Sequence, residues 1–466
     1  MSFAVFEVKG MLLKRFEEKG LSHYSYAVGC KEKGQIAIID PQFDVDIYLE
    51  YAEKNQLVIS HVFETHIHAD YASGARYLAT RAGATLGISA YDKGEKYEVD
   101  FPHKECFDGD TFQLGSLTIK VLYTPGHTPE HISFLALEGD KPRALFSGDF
   151  LFVGSVGRPD LIGENATMGL AKKLYCSTKE KLEGLPSTLE IYPSHGSGSF
   201  CGGGIASRPF STLGQERLSN PFLKPNITEK EFIDLILSRI PLCPDYFLLM
   251  KEYNSCSRRC QLVSTIPLEL AEFKHKLEKG ATIIDLRDQH AFSKRHIPGS
   301  ICIGGGEKVG FWASTAISYD VPILVVTNDP LTVPDAFASL ARVGLTNVEG
   351  YLKGGIDMWE ESGEKVEKAP EVSPQALNNT EEVHVIDVRS LGEWGGGHIK
   401  NSRHIPCSEL KRRVDELPEG PLIFVCAGGY RSILAASIAL KHGRKSVAHL
   451  PGGVMAWHGA GFPLSI

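Results

Sequence analysis

No apolar run in this chain approaches the ~18 residues of a membrane-crossing helix, so a spanning class is not expected. Cysteine is sparse, 10 in 466 residues, which excludes a disulfide-stapled scaffold and suits a reducing compartment. Positive charge is short as well. The formal net charge is -8 and no Lys/Arg cluster exceeds a few residues, so neither nucleic acid nor a membrane surface is an expected partner. The short patch Lys411-Arg412-Arg413 reads as a solvated helix face. Near the start, Lys9, Lys14 and Arg15 stand where a signal peptide would carry its apolar core, and the expected location is cytoplasmic. The length suggests about three domains of ~150 residues, each able to bury its own core.

What the chain does have is a dense set of metal donors. Glu64-Thr65-His66-Ile67-His68-Ala69-Asp70-Tyr71 follows the apolar run Val58–Phe63, which reads as a buried strand. Residues two apart in extended chain point the same way, so His66, His68 and Asp70 are expected to share a face. Further donors arrive in matching settings: His127 after the strand-like Leu117–Tyr123, Asp149 after 143–146, and His195 after 189–193. Donors just past successive strands lie along one sheet edge, where open sheets bind ligands.

This pattern resembles the metallo-β-lactamase superfold, whose motif His-x-His-x-Asp-His is met at His66, His68 and Asp70 and broken at Tyr71. In two-metal members that last position is a histidine. A phenol with a pKa of about 10 is a poor substitute, so one metal is expected. Within the superfold, the mononuclear iron branch, the persulfide dioxygenases, uses the residues matching His66, His127 and Asp149. Two histidines and a carboxylate are the facial set of non-haem Fe(II) oxygenases. By that resemblance His68, Asp70, Tyr71 and His195 orient ligands or contact substrate.

Residues 1–240 are assigned to this domain, with strands around 1–8, 25–30 and 35–40 and helices over 46–55 and 74–82, the second stopped by Gly83. The alternation suits a layered αββα sandwich. Past His195 a Gly/Ser-rich loop carries Cys201, either a small buried side chain or a thiol that meets a sulfur substrate. Arg208 and Arg158 are candidates to pair with substrate oxygens, since guanidinium forks match them, or are structural. Residues 241–262 are read as a linker; Cys256 and Cys260 within it lack a second ligand pair for zinc.

From Val263 the chain repeats itself. Ile283-Ile284-Asp285-Leu286-Arg287 answers Val385-Ile386-Asp387-Val388-Arg389, and Gly354-Gly355 with Trp359 answers Gly452-Gly453 with Trp457. The offset of roughly one hundred residues marks duplicated domains rather than a solenoid, assigned to 263–366 and 372–466, each a small parallel α/β unit. In the last copy the strand ending at Val425 runs into Cys426-Ala427-Gly428-Gly429-Tyr430-Arg431 and then a helix over 433–442. A thiol there meets backbone N–H groups and a helix N-terminus that stabilise an anion on sulfur, and Arg431 adds a full positive charge. This loop, with the Asp-Val-Arg and Gly-Gly-x-x-x-Trp signatures, resembles the rhodanese sulfurtransferase domain, in which the matching cysteine carries sulfane sulfur. The first copy has Thr327 and Thr332 at the cysteine and arginine positions, and Cys302 lies outside the loop. It is expected to keep the fold without the chemistry.

Together the modules resemble the persulfide dioxygenase–rhodanese fusion family. The resemblance implies one Fe(II) per chain, with zinc a candidate for the isolated protein, O2 as co-substrate, and a low-molecular-weight persulfide oxidised to sulfite. Cys426 and Arg431 would then link persulfide, sulfite and thiosulfate by sulfur transfer. A homo-oligomer is expected. Two rivals are a zinc thioester hydrolase like glyoxalase II, which needs a second-metal ligand at Tyr71, and a persulfide carrier or sensor without turnover.

Overall fold

The computed structural model describes residues 5–8 as backbone, 11–257 and 265–466 in full. They divide into two compact units, residues 1–260 with 342–344, and residues 261–341 with 345–466. No helix among the described residues is long and apolar enough to cross a membrane. Cys260, one of the two linker cysteines, lies outside the described residues.

The first unit is built on two sheets. One has seven strands in chain order from Val5–Val8 to Lys104–Cys106, antiparallel up to Gln35–Ile39 and parallel beyond it. The other has six, with Lys141–Gly148 central and pairing parallel to Glu190–Pro193. Strand Gln35–Ile39 shows why both faces fill. Its alternate residues Ala37 and Ile39 pack inward against Phe134, Phe146 and Val121 of the second sheet, while Ile36 and Ile38 pack outward on Tyr48, Ala52 and Leu78. Period-two alternation with apolar residues at both phases needs cover on both sides. Helices Asp46–Lys54 and Ala75–Ala82 supply it there, and Glu164–Glu180 and Glu229–Leu237 cover the second sheet through Ala171, Leu174, Phe232 and Ile233. The αββα layering is the expected one. Gly83 ends its helix in the left-handed region at φ 63°, as its place in the sequence suggests.

Two readings change. The 241–262 stretch is no plain linker: Tyr246–Ser255 is a helix of 10 residues belonging to the first unit. Lys411-Arg412-Arg413 sits in turns, not on a helix, with Arg413 held by Glu409 and Glu416 at 2.8 and 2.7 Å.

The second unit holds both repeats. Each has a parallel sheet, centred on Thr282–Asp285 and Ile323–Val326 in one copy and on His384–Asp387 and Leu422–Val425 in the other. The repeated signatures have repeated jobs. Arg287 grips Asp285 and Arg389 grips Asp387 across one residue, and the indoles of Trp359 and Trp457 donate to the carbonyls of Lys365 and Pro463 at 2.9 and 3.0 Å.

Phe134 is fully buried at the centre of the first unit, its ring 4.8 Å from that of Phe63. Phe134→Ala is expected to cost about 3–5 kcal/mol, read by urea denaturation as an earlier transition of the first unit with that of the second unmoved.

Candidate metal centre and cysteine site

Each donor of the first unit sits where a strand stops. Residues 64–71 leave Val58–Phe63, His127 follows Leu117–Tyr123, Asp149 follows Lys141–Gly148, and His195 follows Glu190–Pro193. The segment after Phe63 is loop rather than continued strand, so the shared face expected for His66, His68 and Asp70 does not form. Its side chains divide among three donor groups instead: His66 with His127 and Asp149; Asp70 with His195 and Cys201; His68 with Asp40 and Glu64. Within each group the ligand atoms lie within 4.8 Å of one another.

The first group fits a metal ion by what it leaves unsatisfied. His66 Nε2, His127 Nε2 and both Asp149 oxygens are buried without a hydrogen bond, a costly arrangement unless a cation draws on all of them. His127 Nε2 and His66 Nε2 stand 3.2 and 3.9 Å from Asp149 Oδ2. Both rings are anchored through the other nitrogen. His127 Nδ1 donates to the Arg158 carbonyl at 2.8 Å, and His66 Nδ1 meets Thr65 Oγ1 at 2.9 Å, leaving Nε2 as the donor. Burial holds both imidazoles well below their usual value of 6.5, so they are neutral. Burial also raises Asp149 to about 6, a penalty that a divalent cation reverses.

His68 faces elsewhere. Its Nε2 lies 3.1 Å from Asp40 and 3.2 Å from Glu64. Burial alone would keep it neutral, but the two carboxylates raise it well above 6.5, and the Asp40–His68 pair is ionic. Tyr71 is buried, lies against the tilted ring of His23 with centroids 4.0 Å apart, and donates its hydroxyl to the Asp40 carbonyl at 3.2 Å. His195 Nε2 stands 3.3 Å from Asp70 and 3.5 Å from Asp149, which sets the second group beside the first. Cys201 is buried there, and burial, then Asp70 and Asp149, push its thiol well above 9.

Of the arginines, Arg158 does not reach for substrate. It is fully buried, binds both oxygens of Asp160 at 2.7 and 2.8 Å and the Phe200 carbonyl at 2.9 Å, and offers its own carbonyl to His127. Arg208 is exposed between Cys201 and strand Ser211–Thr212. A cavity of about 490 Å³, bordered by Arg76, Tyr77, Ile88, Phe101 and Asn254, reaches His66.

Several supporting residues escape a reading of the sequence. His131 accepts the Asp149 N–H at 3.0 Å through Nε2 and meets the Thr124 hydroxyl through Nδ1, fixing the backbone of the carboxylate ligand candidate. Asp40 directly follows a strand, the same signal that marks Asp149, and was discoverable. Lys251 and Asn254 come from the Tyr246–Ser255 helix, where no motif points to them.

In the last repeat, the Cys426 Sγ accepts the Gly429 N–H at 3.0 Å. Helix Tyr430–Lys441 begins directly after that glycine, earlier than the sequence suggests. Gly429 has φ 105°, a conformation open to glycine, at the point where its N–H meets the sulfur. Gly453 backs the cysteine so closely that a Cβ would lie 2.0 Å from the Cys426 carbonyl oxygen. Arg431 is clamped by both oxygens of Glu393 at 2.7 and 2.8 Å, and the pairing, chiefly its hydrogen bonds, holds Glu393 at about 2. In the first repeat Gly355 backs Thr327 in the same way, at 2.5 Å, and the Thr327 hydroxyl is spent on the Asp329 carbonyl and amide at 3.2 and 3.0 Å. That copy has no thiol in its loop.

Gly157 sets the most sensitive contact of the metal centre, since a Cβ there would lie 2.0 Å from the Asp149 carbonyl oxygen and 2.8 Å from His127 Nδ1. Gly157→Ala is expected to cut bound metal, measured by elemental analysis after loading, to a tenth or less while the circular dichroism spectrum stays near that of the parent.

Residues 19–195 match the family model of the metallo-beta-lactamase superfamily, and residues 269–362 and 374–460 each match that of the rhodanese-like domain. A Dictyostelium discoideum protein named Glyoxylase B2 is 35% identical over 211 residues, spanning 42% of this chain and 68% of its own. A crystal structure of a metallo-beta-lactamase from Staphylococcus aureus subsp. aureus COL is 34% identical and covers 74% of this chain and 99% of its own, at a TM-score of 0.66. The crystal structure of ETHE1 from Myxococcus xanthus is 30% identical over 48% of this chain and 89% of its own, at a TM-score of 0.41. With two sheets whose strand ends carry the donors, and two repeated parallel α/β domains of which the last holds a thiol in its loop, the chain belongs to the metallo-β-lactamase superfamily, as a member whose metal-binding fold is followed by two rhodanese-like domains.

Proposed function

We propose that the first unit is an Fe(II)-dependent persulfide dioxygenase and that the last repeat is a rhodanese-type sulfurtransferase, both acting on sulfane sulfur. The observation that carries this reading is the partition of the His-x-His-x-Asp residues. His66 joins His127 and Asp149 while His68 is withdrawn to Asp40 and Glu64, which leaves a two-histidine, one-carboxylate set with open positions. One Fe(II) held by these three supplies the redox chemistry for RSSH + O2 + H2O → RSH + SO3²⁻ + 2H⁺.

The chain's own residues do the rest. Arg158 and Thr65 hold the two imidazoles in the tautomer that presents Nε2, and His131 holds the backbone of Asp149. Asp70, His195 and Cys201 border the centre, where they would contact the substrate or handle protons beside it. At the second site, Cys426 takes sulfane sulfur from a persulfide, releasing RS⁻, and the Gly429 N–H faces the sulfur that carries it. Sulfite then attacks the outer sulfur, forming thiosulfate and returning the Cys426 thiolate. The reverse reaction begins from thiosulfate. Arg431, fixed by Glu393, keeps a positive charge at the loop through which these anions pass.

A second reading has its own support. The Asp70–His195–Cys201 group could hold a second ion, and a relative is named Glyoxylase B2, so a two-zinc thioester hydrolase is the alternative. It is the weaker reading because Tyr71, where a two-metal centre has a histidine, is a phenol whose hydroxyl is donated to the Asp40 carbonyl.

Anaerobically purified, Fe(II)-loaded protein is expected to consume O2 with glutathione persulfide or coenzyme A persulfide and to release thiosulfate. Cys426→Ser is expected to shift the product to sulfite without stopping O2 uptake, whereas His66→Ala abolishes uptake. Two zinc ions per chain, no O2 uptake and turnover of a thioester would replace this reading with the hydrolase.

A further inference from the structure

The loop that carries His66, His68 and Asp70 is held from one side by a single helix far along the chain. From Tyr246–Ser255, the Lys251 ammonium donates to the Ile67 carbonyl at 2.8 Å, and the Tyr246 hydroxyl donates to the Asp70 carbonyl at 3.0 Å. The Asn254 amide donates to the carbonyls of His68 and Tyr71, both at 2.8 Å, and accepts the Ser73 N–H at 2.9 Å. Glu130 completes the grip by accepting the Ile67 N–H at 3.1 Å while standing 3.5 Å from Lys251. Ile67, the residue between the two histidines, is thus fixed through both its N–H and its carbonyl.

Lys251 is an expensive choice for a packing role. Its side chain is 1% exposed and that of Glu130 3%, and burying an ion pair usually gains nothing over apolar residues of the same size. A neutral donor would satisfy the Ile67 carbonyl. An ammonium also makes a shorter, stronger charge-assisted bond, and here it does so against the burial that lowers its pKa from the usual 10.5, with Glu130 as its ion partner.

We propose that Lys251 and Asn254 are positioning residues of the metal centre: they lock residues 67–73 so that His66 turns toward His127 and Asp149 while His68 turns to Asp40 and Glu64. Without them the loop is free to bring both histidines to one ion, as its alternating pattern would allow. The proposal rests on His66, His127 and Asp149 binding a metal, but not on which reaction follows.

The test is a Co(II) titration of the metal-free full chain, read by visible ligand-field absorption, with circular dichroism as the check on folding. Lys251→Met is expected to weaken Co(II) binding by about 10- to 100-fold and to change the shape of the visible band, because the donor set loosens. Lys251→Arg is expected to recover part of the affinity. Asn254→Ala, which leaves no charge unpaired, is expected to change the band in the same direction, and it decides the matter if Lys251→Met does not fold. Folded variants that bind Co(II) with parental affinity and spectrum would overturn the positioning role alone. Parent protein that binds no Co(II) would overturn the metal reading and this proposal with it.

Discussion

Asp149 carries the constraint on which the first unit depends. Both of its oxygens are buried and neither accepts a hydrogen bond, while two histidine nitrogens without partners point into the same space. Such an arrangement is unfavourable on its own, so the surrounding structure has to hold it in place. The His131 imidazole takes the Asp149 N–H, Gly157 lets the chain pass against the Asp149 carbonyl, and the Arg158 carbonyl orients His127. Arg158 is locked in turn by Asp160. The free energy lost in that pocket is supplied by the apolar layers around it, where both faces of each sheet are covered.

The two repeats show how little backbone must change for chemistry to be lost. Thr327 and Cys426 end equivalent strands, and Gly355 and Gly453 crowd against their carbonyls in the same way. What differs is the loop that follows. In the last repeat it turns an N–H toward sulfur and runs straight into a helix of 12 residues, whereas in the first it folds onto the Thr327 hydroxyl and opens with a short Pro330–Thr332 turn. The fold of each copy is set by the buried strands and the Asp–Arg and Trp anchors, which both retain, so reactivity is free to vary separately.

Much of this was legible in the sequence, for a physical reason. His66, His127, Asp149 and His195 each follow an apolar strand, and strand ends gather at a sheet edge, so local pattern implied long-range convergence. Asp40 obeyed the same rule. The division of His66 from His68 follows from the family resemblance but not from alternation, which predicts a shared face only while the chain stays extended, and here it leaves the sheet at residue 64. Arg158 stays undecided in the sequence because a guanidinium inside a loop looks the same there whether it serves a ligand or the backbone. Lys251 and Asn254 were hidden for a deeper reason. They bind carbonyls, which every residue has, from more than 180 positions away, so neither end of the contact leaves a mark in the pattern.

That hidden helix changes what counts as the portable piece of this protein. By motif and by alternation, the metal-binding fold looks finished near residue 240, and a gene fusion joined there would inherit every metal donor. It would leave behind the Tyr246–Ser255 helix, and with it the side chains that tie down the loop between Ile67 and Ser73. Recombination that separates or swaps the rhodanese-like domains therefore has a narrower choice of joints than the sequence suggests. The stretch that looks like a spacer is inherited with the centre it supports.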